Sequence, residues 1–318
     1  MSPDFEAAFV AHRPALLRHC YRMLGSFAEA EDLVQDTLER AWKARSEHRG
    51  TASVERWLYA IATNACINAL RQRRRRELPQ LEQAPARVES ALVETEVERW
   101  LSPAADAALF PDASDELVRR ETVTLAFVAL LQRVPPRQRA VLLLKDVLGW
   151  SAEDIAATLE LSLPSVNSAL HRARGSTSLE NAVVDEPSED AVRSFVRAWE
   201  TRDLDALIKQ LRDDVTLAMP PYSAWFSGVE SVVPFFRSKR FQAFWTTLER
   251  VEATRANDRP AFAFVRSVNG AILPHSIMVA DFRADAVAGM TVFIGASNFK
   301  GFTFSGELTA QFRGPRLS

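Results

Sequence analysis

A chain of 318 residues, 47% hydrophobic and 25% charged, has the composition of an ordinary soluble globular protein with room for two or three modest domains. Two cysteines, Cys20 and Cys66, exclude a disulfide framework and a cysteine-based metal site, and their apolar, helix-patterned neighbours suggest buried thiols in a reducing compartment. The formal net charge of -2 hides segregation: residues 71–76, RQRRRR, are strongly basic and residues 88–98, VESALVETEVE, are acidic, and such local patches decide whether phosphates are met.

In chain order, the opening MSPDFEAAFVAHRPALLRH sets Asp4, Glu6 and His12 ahead of any apolar run, unlike a secretory signal. With no apolar run long enough to cross a bilayer, a cytoplasmic protein without a membrane partner is expected. Residues 5–75 read as helices almost throughout. Over residues 28–43, Leu33, Val34, Thr37, Leu38, Ala41 and Trp42 share one face and leave Asp32, Gln35, Asp36, Glu39 and Arg40 toward solvent. Over residues 53–72, Trp57, Leu58, Ile61, Ala62, Ala65 and Leu70 form an apolar stripe, while Tyr59, Asn64 and Asn68 suit stacking on or hydrogen bonding to unpaired bases ahead of the arginine block. Residues 77–116 are broken by Pro79, Pro85, Pro103 and Pro111 and read as an acidic interdomain linker with at most short helices.

A second helical unit spans residues 117–180. Pro135 and Pro136 open a helix that Gly149 ends. Ser151 caps the next helix, with Asp154 as the reciprocal acidic partner of a capping box, and a short turn at residues 160–162 leads into a third helix to Arg174. The last two helices have the spacing of a helix-turn-helix. Ile155, Ala156, Leu159, Leu161, Val166 and Leu170 hold them together in that reading. Ser165, Asn167, Ser168, His171, Arg172 and Arg174 then face outward, a set able to donate to base edges and phosphates. A plain helical hairpin would show much the same pattern.

After the polar stretch DEPSED at residues 185–190, two helices are followed by strand-like runs at residues 261–268, 272–282 and 288–295, an α+β domain with a curved antiparallel sheet. Met219, Tyr222, Trp225, Phe226, Phe235, Phe236, Phe244 and His275 are candidates to line an apolar pocket, or equally to be ordinary core. Asp214, His275 and Asp281 are general bases by type. Asp214 reads better as solvated or capping, His275 as a core histidine and Asp281 as exposed, so no catalytic residue is named and no enzyme is expected.

The stretches AEDLVQDTLERAW and WLYAIATNACINALRQRRRR together resemble the region-two domain of extracytoplasmic-function sigma factors of the sigma-70 family, and VPPRQRAVLLLKDVLGWSAEDIAATLELSLPSVNSALHRAR resembles their region-four domain. Residues 188–308, through FVRAWETRDLDALIKQLRDDVTLAMPPYSAWFSGVESVVPFF, resemble SnoaL-like cone-shaped α+β domains. The resemblance implies a multi-domain architecture: a region-2 helical domain at residues 1–76, the linker, a region-4 helix-turn-helix domain, and the SnoaL-like domain. It implies core RNA polymerase (β′ clamp helices and β flap) and promoter DNA as partners, with Asp32, Gln35, Asp36, Glu39 and Arg40 on the polymerase face. Asn64, Asn68, Arg71, Arg73 and Arg74 would act at the minus-ten element and the outward residues of the last helix at the minus-thirty-five element. The linker would run toward the RNA exit path. Asn68 followed by Ala69, and Asn167, depart from residues common in the family, so promoter preference is not carried over. No cofactor or metal is expected, and a small-molecule ligand of the C-terminal domain is a candidate signal. A simple helix-turn-helix regulator would leave residues 28–76 unexplained, and a SnoaL-like enzyme or binder with a helical appendage would leave both helical motifs unused.

Overall fold

The computed structural model describes residues 3–45, 53–71, 75–90, 92–111, 120–176 and 185–304. Helices α1 (Pro3–Leu24), α2 (Phe27–Lys43) and α3 (Val54–Leu70) come first, and the short α4 (Pro79–Glu82) and α5 (Asp106–Leu109) mark the intervening segment. Then follow α6 (Leu125–Gln132), α7 (Pro136–Leu142) with a π-helical turn at Leu143–Val147, α8 (Ala152–Leu159) and α9 (Leu163–Ser176). Next come α10 (Glu189–Glu200), α11 (Leu204–Lys209), β1 (Leu211–Ala218), β2 (Trp225–Ser227), α12 (Val229–Arg237) and α13 (Lys239–Thr247). The chain ends in β3 (Leu248–Ala256), β4 (Arg259–Val268), β5 (Ala271–Arg283) and β6 (Ala286–Ile294).

These elements form two compact units. The helical unit takes residues 1–76 and 108–180, and the C-terminal unit takes residues 77–107 and 181–318. Most of the acidic linker therefore groups with the C-terminal unit instead of standing alone.

In the helical unit, serine and threonine hydroxyls cap the starts of α2, α3, α6 and α8, the last of them at the Ser151 that the sequence marks. Ser26, Ser53, Thr124 and Ser151 each accept from the amide three residues on, satisfying a donor that the first helical turn leaves unpaired. At Ser151 the hydroxyl half of the capping box forms, while the Asp154 carboxylate pairs with Arg56 at 2.6 Å. The α3 stripe is rotated from the one the sequence suggests: Leu58, Tyr59, Ala62, Thr63, Cys66 and Ile67 are buried, whereas Trp57, Ile61, Ala65 and Leu70 are half-buried. The reason is that α3 is covered on more than one side, by α1 and α2 and also by α7 and α8. Both cysteines are buried and free, and burial pushes the Cys66 thiol up.

That burial has one consequence with pH. His19 is 1% exposed, its Nε2 sits 2.8 Å from Thr63 Oγ1, and burial pulls its pKa down to about 3, with Arg22 adding to the shift. The unfolded chain takes up this proton near pH 6.5, so stability is lost as pH falls from about 6.5 toward 3, by an amount on the order of 4 kcal/mol. His19→Gln keeps a neutral hydrogen-bonding group there. Its urea midpoint is expected to fall less between pH 7 and pH 4 than that of the unchanged protein, and an equal fall would show that His19 does not carry the effect.

In the C-terminal unit a six-stranded sheet has the order β2-β1-β6-β5-β4-β3 among the described residues. The sheet is mixed, where the sequence suggests a wholly antiparallel one: β1 runs parallel to β6, because the chain returns beside β1 only after the excursion through α12, α13 and β3 to β5. The strand β3 and helix α13 are additions to the sequence reading. One face of the sheet packs against the helices through a core that includes Phe195, Trp199, Phe236, Phe262, Phe264 and Phe282. Trp199 is its centre, with ring centroids 4.7 Å from Phe264, 5.4 Å from Trp245 and 5.8 Å from Phe241.

Candidate functional site

The helix-turn-helix forms as α8, a turn and α9. Glu160 adopts a left-handed φ of 53° at the end of α8, which lets the Leu161 amide reach the Ala156 carbonyl at 2.9 Å and turns the chain toward α9. Ile155, Val166, Ala169, Leu170 and Ala173 are buried between the helices, while Ala156, Leu159 and Leu161 are half-buried. Ser165, Asn167, Ser168, His171, Arg172 and Arg174 are all exposed on α9. Their chemistry is already partly organised. The Ser162 and Ser165 hydroxyls are 2.8 Å apart, and Arg172 Nη1 donates to Ser168 Oγ at 2.6 Å. Arg174 is gripped by Asp146 through two bonds of 2.9 and 2.6 Å, which hold its guanidinium firmly charged, so a phosphate would compete with that carboxylate.

At the C-terminal end of α3, Asn64, Asn68 and Arg71 are exposed at positions four and three residues apart, on one helical face. Arg73 and Arg74 lie outside the described residues. Tyr59, in contrast, is unavailable for stacking on a base: it is 1% exposed, edge-on to His19 at 5.2 Å and to Trp150 at 5.7 Å. The arginine block also divides. Arg75 is exposed, but Arg76 is 6% exposed and holds Glu29 with bonds of 3.0 and 2.9 Å and the Leu24 carbonyl at 2.9 Å, so it locks the end of the block to α1 and α2 instead of meeting phosphate. On α2, Asp32, Gln35, Asp36, Glu39 and Arg40 are all exposed, opposite the buried Ala30, Val34, Thr37 and Ala41. Arg40 pairs with Asp36 at 3.3 Å along this face.

The region-2 and region-4 helices are held together inside the helical unit. Besides the Arg56–Asp154 pair, Arg22 Nη2 donates to Thr122 Oγ1 at 2.5 Å, Gln132 Nε2 donates to the Arg22 carbonyl at 3.2 Å, and Arg139 donates to the Met23 carbonyl.

In the C-terminal unit, a cavity of about 170 Å³ lies between the helices and the sheet. Met219, Tyr222, Phe235, Phe236, Phe244 and His275 line it as the sequence suggests. Trp225 and Phe226 do not. The indole N–H of Trp225 donates to the Gln83 carbonyl at 2.8 Å, and Phe226 stacks on Phe235 in the core at 4.9 Å. Both lie on β2, beyond β1 at the sheet's edge, which carries them away from the cavity. His275 stacks on Phe244 at 4.3 Å, its Nδ1 is 2.9 Å from Ser276 Oγ, and burial, aided by Arg266, brings its pKa down to about 4, so it is neutral at pH 7. Trp199, Leu92, Arg240 and Ser276 also contribute to the wall, although no sequence signal marks them: each meets the cavity through tertiary packing alone. Asp214 lies outside it, exposed and paired with Arg212 at 2.8 Å and Arg283 at 3.3 Å, and hydrogen bonding by Arg212 lowers its pKa. Asp281 is exposed and paired with Arg259 at 3.2 Å.

The interdomain segment is fastened to the same unit by backbone and side-chain bonds together. The Ala86 amide donates to the Trp225 carbonyl at 2.7 Å, Ser223 to Val93 at 3.3 Å and Thr95 to Pro221 at 3.0 Å. The Trp100 indole reaches Thr95 Oγ1 at 2.8 Å and the Pro221 carbonyl at 3.2 Å, and Ala104 and Asn257 exchange two bonds of 3.0 Å.

With these surfaces in place, likenesses to known proteins can be set beside them. Residues 8–76 match the sigma-70 region 2 family and residues 124–176 match the sigma-70, region 4 family. The chain is similar to ECF RNA polymerase sigma factor SigG of Mycobacterium tuberculosis (strain ATCC 25618 / H37Rv), 39% identical over 309 residues that span 94% of this chain and 83% of that protein. It is also similar to the probable ECF RNA polymerase sigma factor SigI of the same strain, 28% identical over 210 residues, 64% of this chain and 66% of that protein. Among solved structures, the Mycobacterium tuberculosis extracytoplasmic function sigma factor SigJ shares the fold, with a TM-score of 0.61 and 19% identity over 93% of this chain and 98% of that one. The matched regions include the α2, α3 and α9 surfaces described above, in the expected order, and the first relative aligns along most of its length: the chain belongs to the extracytoplasmic-function sigma factors of the sigma-70 family.

Proposed function

We propose that this sigma factor divides promoter recognition among three exposed surfaces and that its SnoaL-like domain adjusts the outcome. The outward face of α9 reads the minus-thirty-five element in the major groove, and the α3 face of Asn64, Asn68 and Arg71 meets the minus-ten element. The α2 face of Asp32, Gln35, Asp36, Glu39 and Arg40 docks on the β′ clamp helices of core RNA polymerase, and region 4 meets the β flap. No chemical step of its own is needed for this work.

The observation that carries the reading is the α9 face itself. Six residues able to donate to DNA project from the second helix of a helix-turn-helix whose opposite face is filled by Val166, Ala169, Leu170 and Ala173. The packing of the helical unit adds a condition. The two promoter elements lie roughly 25 base pairs apart, about 85 Å at 3.4 Å per pair. Regions joined by the Arg56–Asp154 contact at 2.6 Å cannot span that distance, so they part when the promoter is engaged.

The test is promoter-directed transcription with purified core polymerase across a genomic fragment library, comparing the full chain with one ending at residue 183. Both are expected to initiate, at different rates or promoters. Arg172→Ala is expected to weaken initiation at a dependent promoter by about 5- to 100-fold, the cost of one good base or phosphate contact. Failure of both chains to initiate on any fragment would overturn the reading.

A further inference from the structure

The cavity of the C-terminal unit has three properties that together specify a ligand. Its size is that of one ring: about 170 Å³, against roughly 150 Å³ for an engineered apolar protein cavity that takes up benzene. Its walls are mostly aromatic and aliphatic, with Phe235, Phe241, Phe264 and Met278 among them, and the imidazole of His275 is neutral at pH 7, so apart from Arg240 at the lining the interior offers no compensation for a buried net charge. Arg240, the cationic member of the lining, has an exposed side chain and lies over the Tyr222 ring at 5.9 Å.

The third property is an unmet donor. Trp199 is 2% exposed and forms part of the cavity wall, and its indole N–H meets no acceptor among the described residues. Its carbonyl is satisfied by the Trp245 indole at 3.1 Å, so the unmet group is the N–H alone. A buried donor without a partner is destabilising, and a ligand acceptor would remove that cost. One wall residue, moreover, comes from outside the α+β domain: Leu92 belongs to the interdomain segment, next to the Val93 and Thr95 backbone groups that fasten it down.

We propose that this cavity is a binding site for a small, uncharged, single-ring compound bearing one hydrogen-bond acceptor, held by the Trp199 indole and touching Leu92, so that occupancy tightens docking of the interdomain segment. The inference deepens the reading of the SnoaL-like domain as the adjusting element and rests on it. The ring fills the aromatic box, its carbonyl or ether oxygen accepts from Trp199, and contact with Leu92 links the site to the only stretch of chain that joins region 2 to region 4. Thermodynamic linkage makes the coupling reciprocal: a ligand that touches Leu92 binds more tightly when the segment is docked.

Two probes of equal shape test the site in the full-length protein: acetophenone, which carries the acceptor, and α-methylstyrene, in which a CH₂ group replaces the oxygen. In a ¹⁵N-indole NMR titration, acetophenone is expected to saturate one site, to move the Trp199 N–H resonance downfield and to bind about 3- to 10-fold more tightly than the more hydrophobic alkene. Trp199→Phe, which keeps a ring but removes the donor, is expected to abolish the preference and identifies the resonance. The comparison of the two probes on the unchanged protein stands even if that variant folds poorly. Leu92→Ala is expected to weaken both probes several-fold without changing their ratio. Saturating acetophenone is expected to slow amide hydrogen exchange at Thr95 and Ser223 by about 3- to 10-fold. Absence of saturation, an alkene that binds as well as the ketone, or exchange that does not respond would each overturn the proposal. Polymerase and promoter are absent from these measurements, so their failure leaves the initiation role standing, and a failure of initiation leaves the binding result intact.

Discussion

Arg139→Leu is expected to be among the most damaging single substitutions in the helical unit, lowering its stability by about 3–5 kcal/mol and its melting temperature by about 10 °C. The residue is 3% exposed and sits at a junction of α1, α6 and α7. Its guanidinium donates to the Met23 carbonyl, to Gln132 Oε1 at 2.6 Å, and to the Gln132 and Val134 carbonyls at 3.0 Å each. Burial lowers its pKa, to about 10, which still leaves it charged at pH 7. Leucine fills much of the space but supplies no donor, so three backbone carbonyls and one amide oxygen lose a partner together in a site that water does not reach. Met23 belongs to region 2 and Gln132 and Val134 to region 4, so the loss also loosens the hold between the regions. Arg139→Lys is expected to recover part of the stability, since one ammonium donates three bonds but lacks the planar fork. Thermal and urea unfolding of the three proteins measures this, and a loss under about 1 kcal/mol for the leucine variant would show that the network is not a support of the fold.

Arg139 also marks where sequence reading stops. In PPRQRAVLLL it looks like any surface residue of a helix, and its burial comes from a segment of α1 that is 116 positions away. What periodicity could give, it gave well: the α2 face of Asp32, Gln35, Asp36, Glu39 and Arg40 and the α9 face from Ser165 to Arg174 are exposed as their spacing suggests. A stripe is legible because one helix decides it. Tyr59 and Arg76 escaped for the opposite reason, since a polar or charged group that is buried by tertiary partners leaves no trace in a local pattern. The strand β3, LERVEATRA, carries charges along its length and resembles a polar helix, and only its eight-residue register with β4 at the sheet's edge makes it a strand. In the cavity, ring-bearing residues were easy to list but their division was not, because the position of β2 at the edge of the sheet removes Trp225 and Phe226 while Trp199 turns out to be central.

Prolines and acidic residues make the interdomain segment read as a linker with at most short helices, and in the structure residues 77–107 group with the C-terminal unit. Its ties to the C-terminal unit combine backbone hydrogen bonds, which any sequence can make, with bonds from the side chains of Gln83, Thr95, Trp100, Asp106, Trp225 and Asn257, and Trp100 is the largest side chain the segment itself contributes. Trp100 is 2% exposed, with Leu101 equally buried beside it and Arg99 lying over its ring at 5.4 Å. Trp100→Ala removes the ring and the indole donor shared by Thr95 Oγ1 and Pro221, a change that costs about 3–5 kcal/mol in a packed site. The expected result is local opening: hydrogen exchange at the Ala86 and Thr95 amides accelerates by about 10²- to 10³-fold, while the Val166 amide in α9 is unchanged. If the SnoaL-like domain acts on initiation by holding this segment, the variant must shift promoter output in the same direction as truncation at residue 183, because both free the same stretch of chain. Faster exchange with unchanged or oppositely shifted output would mean that the domain adjusts initiation through some other surface, and that the docked segment is structural only.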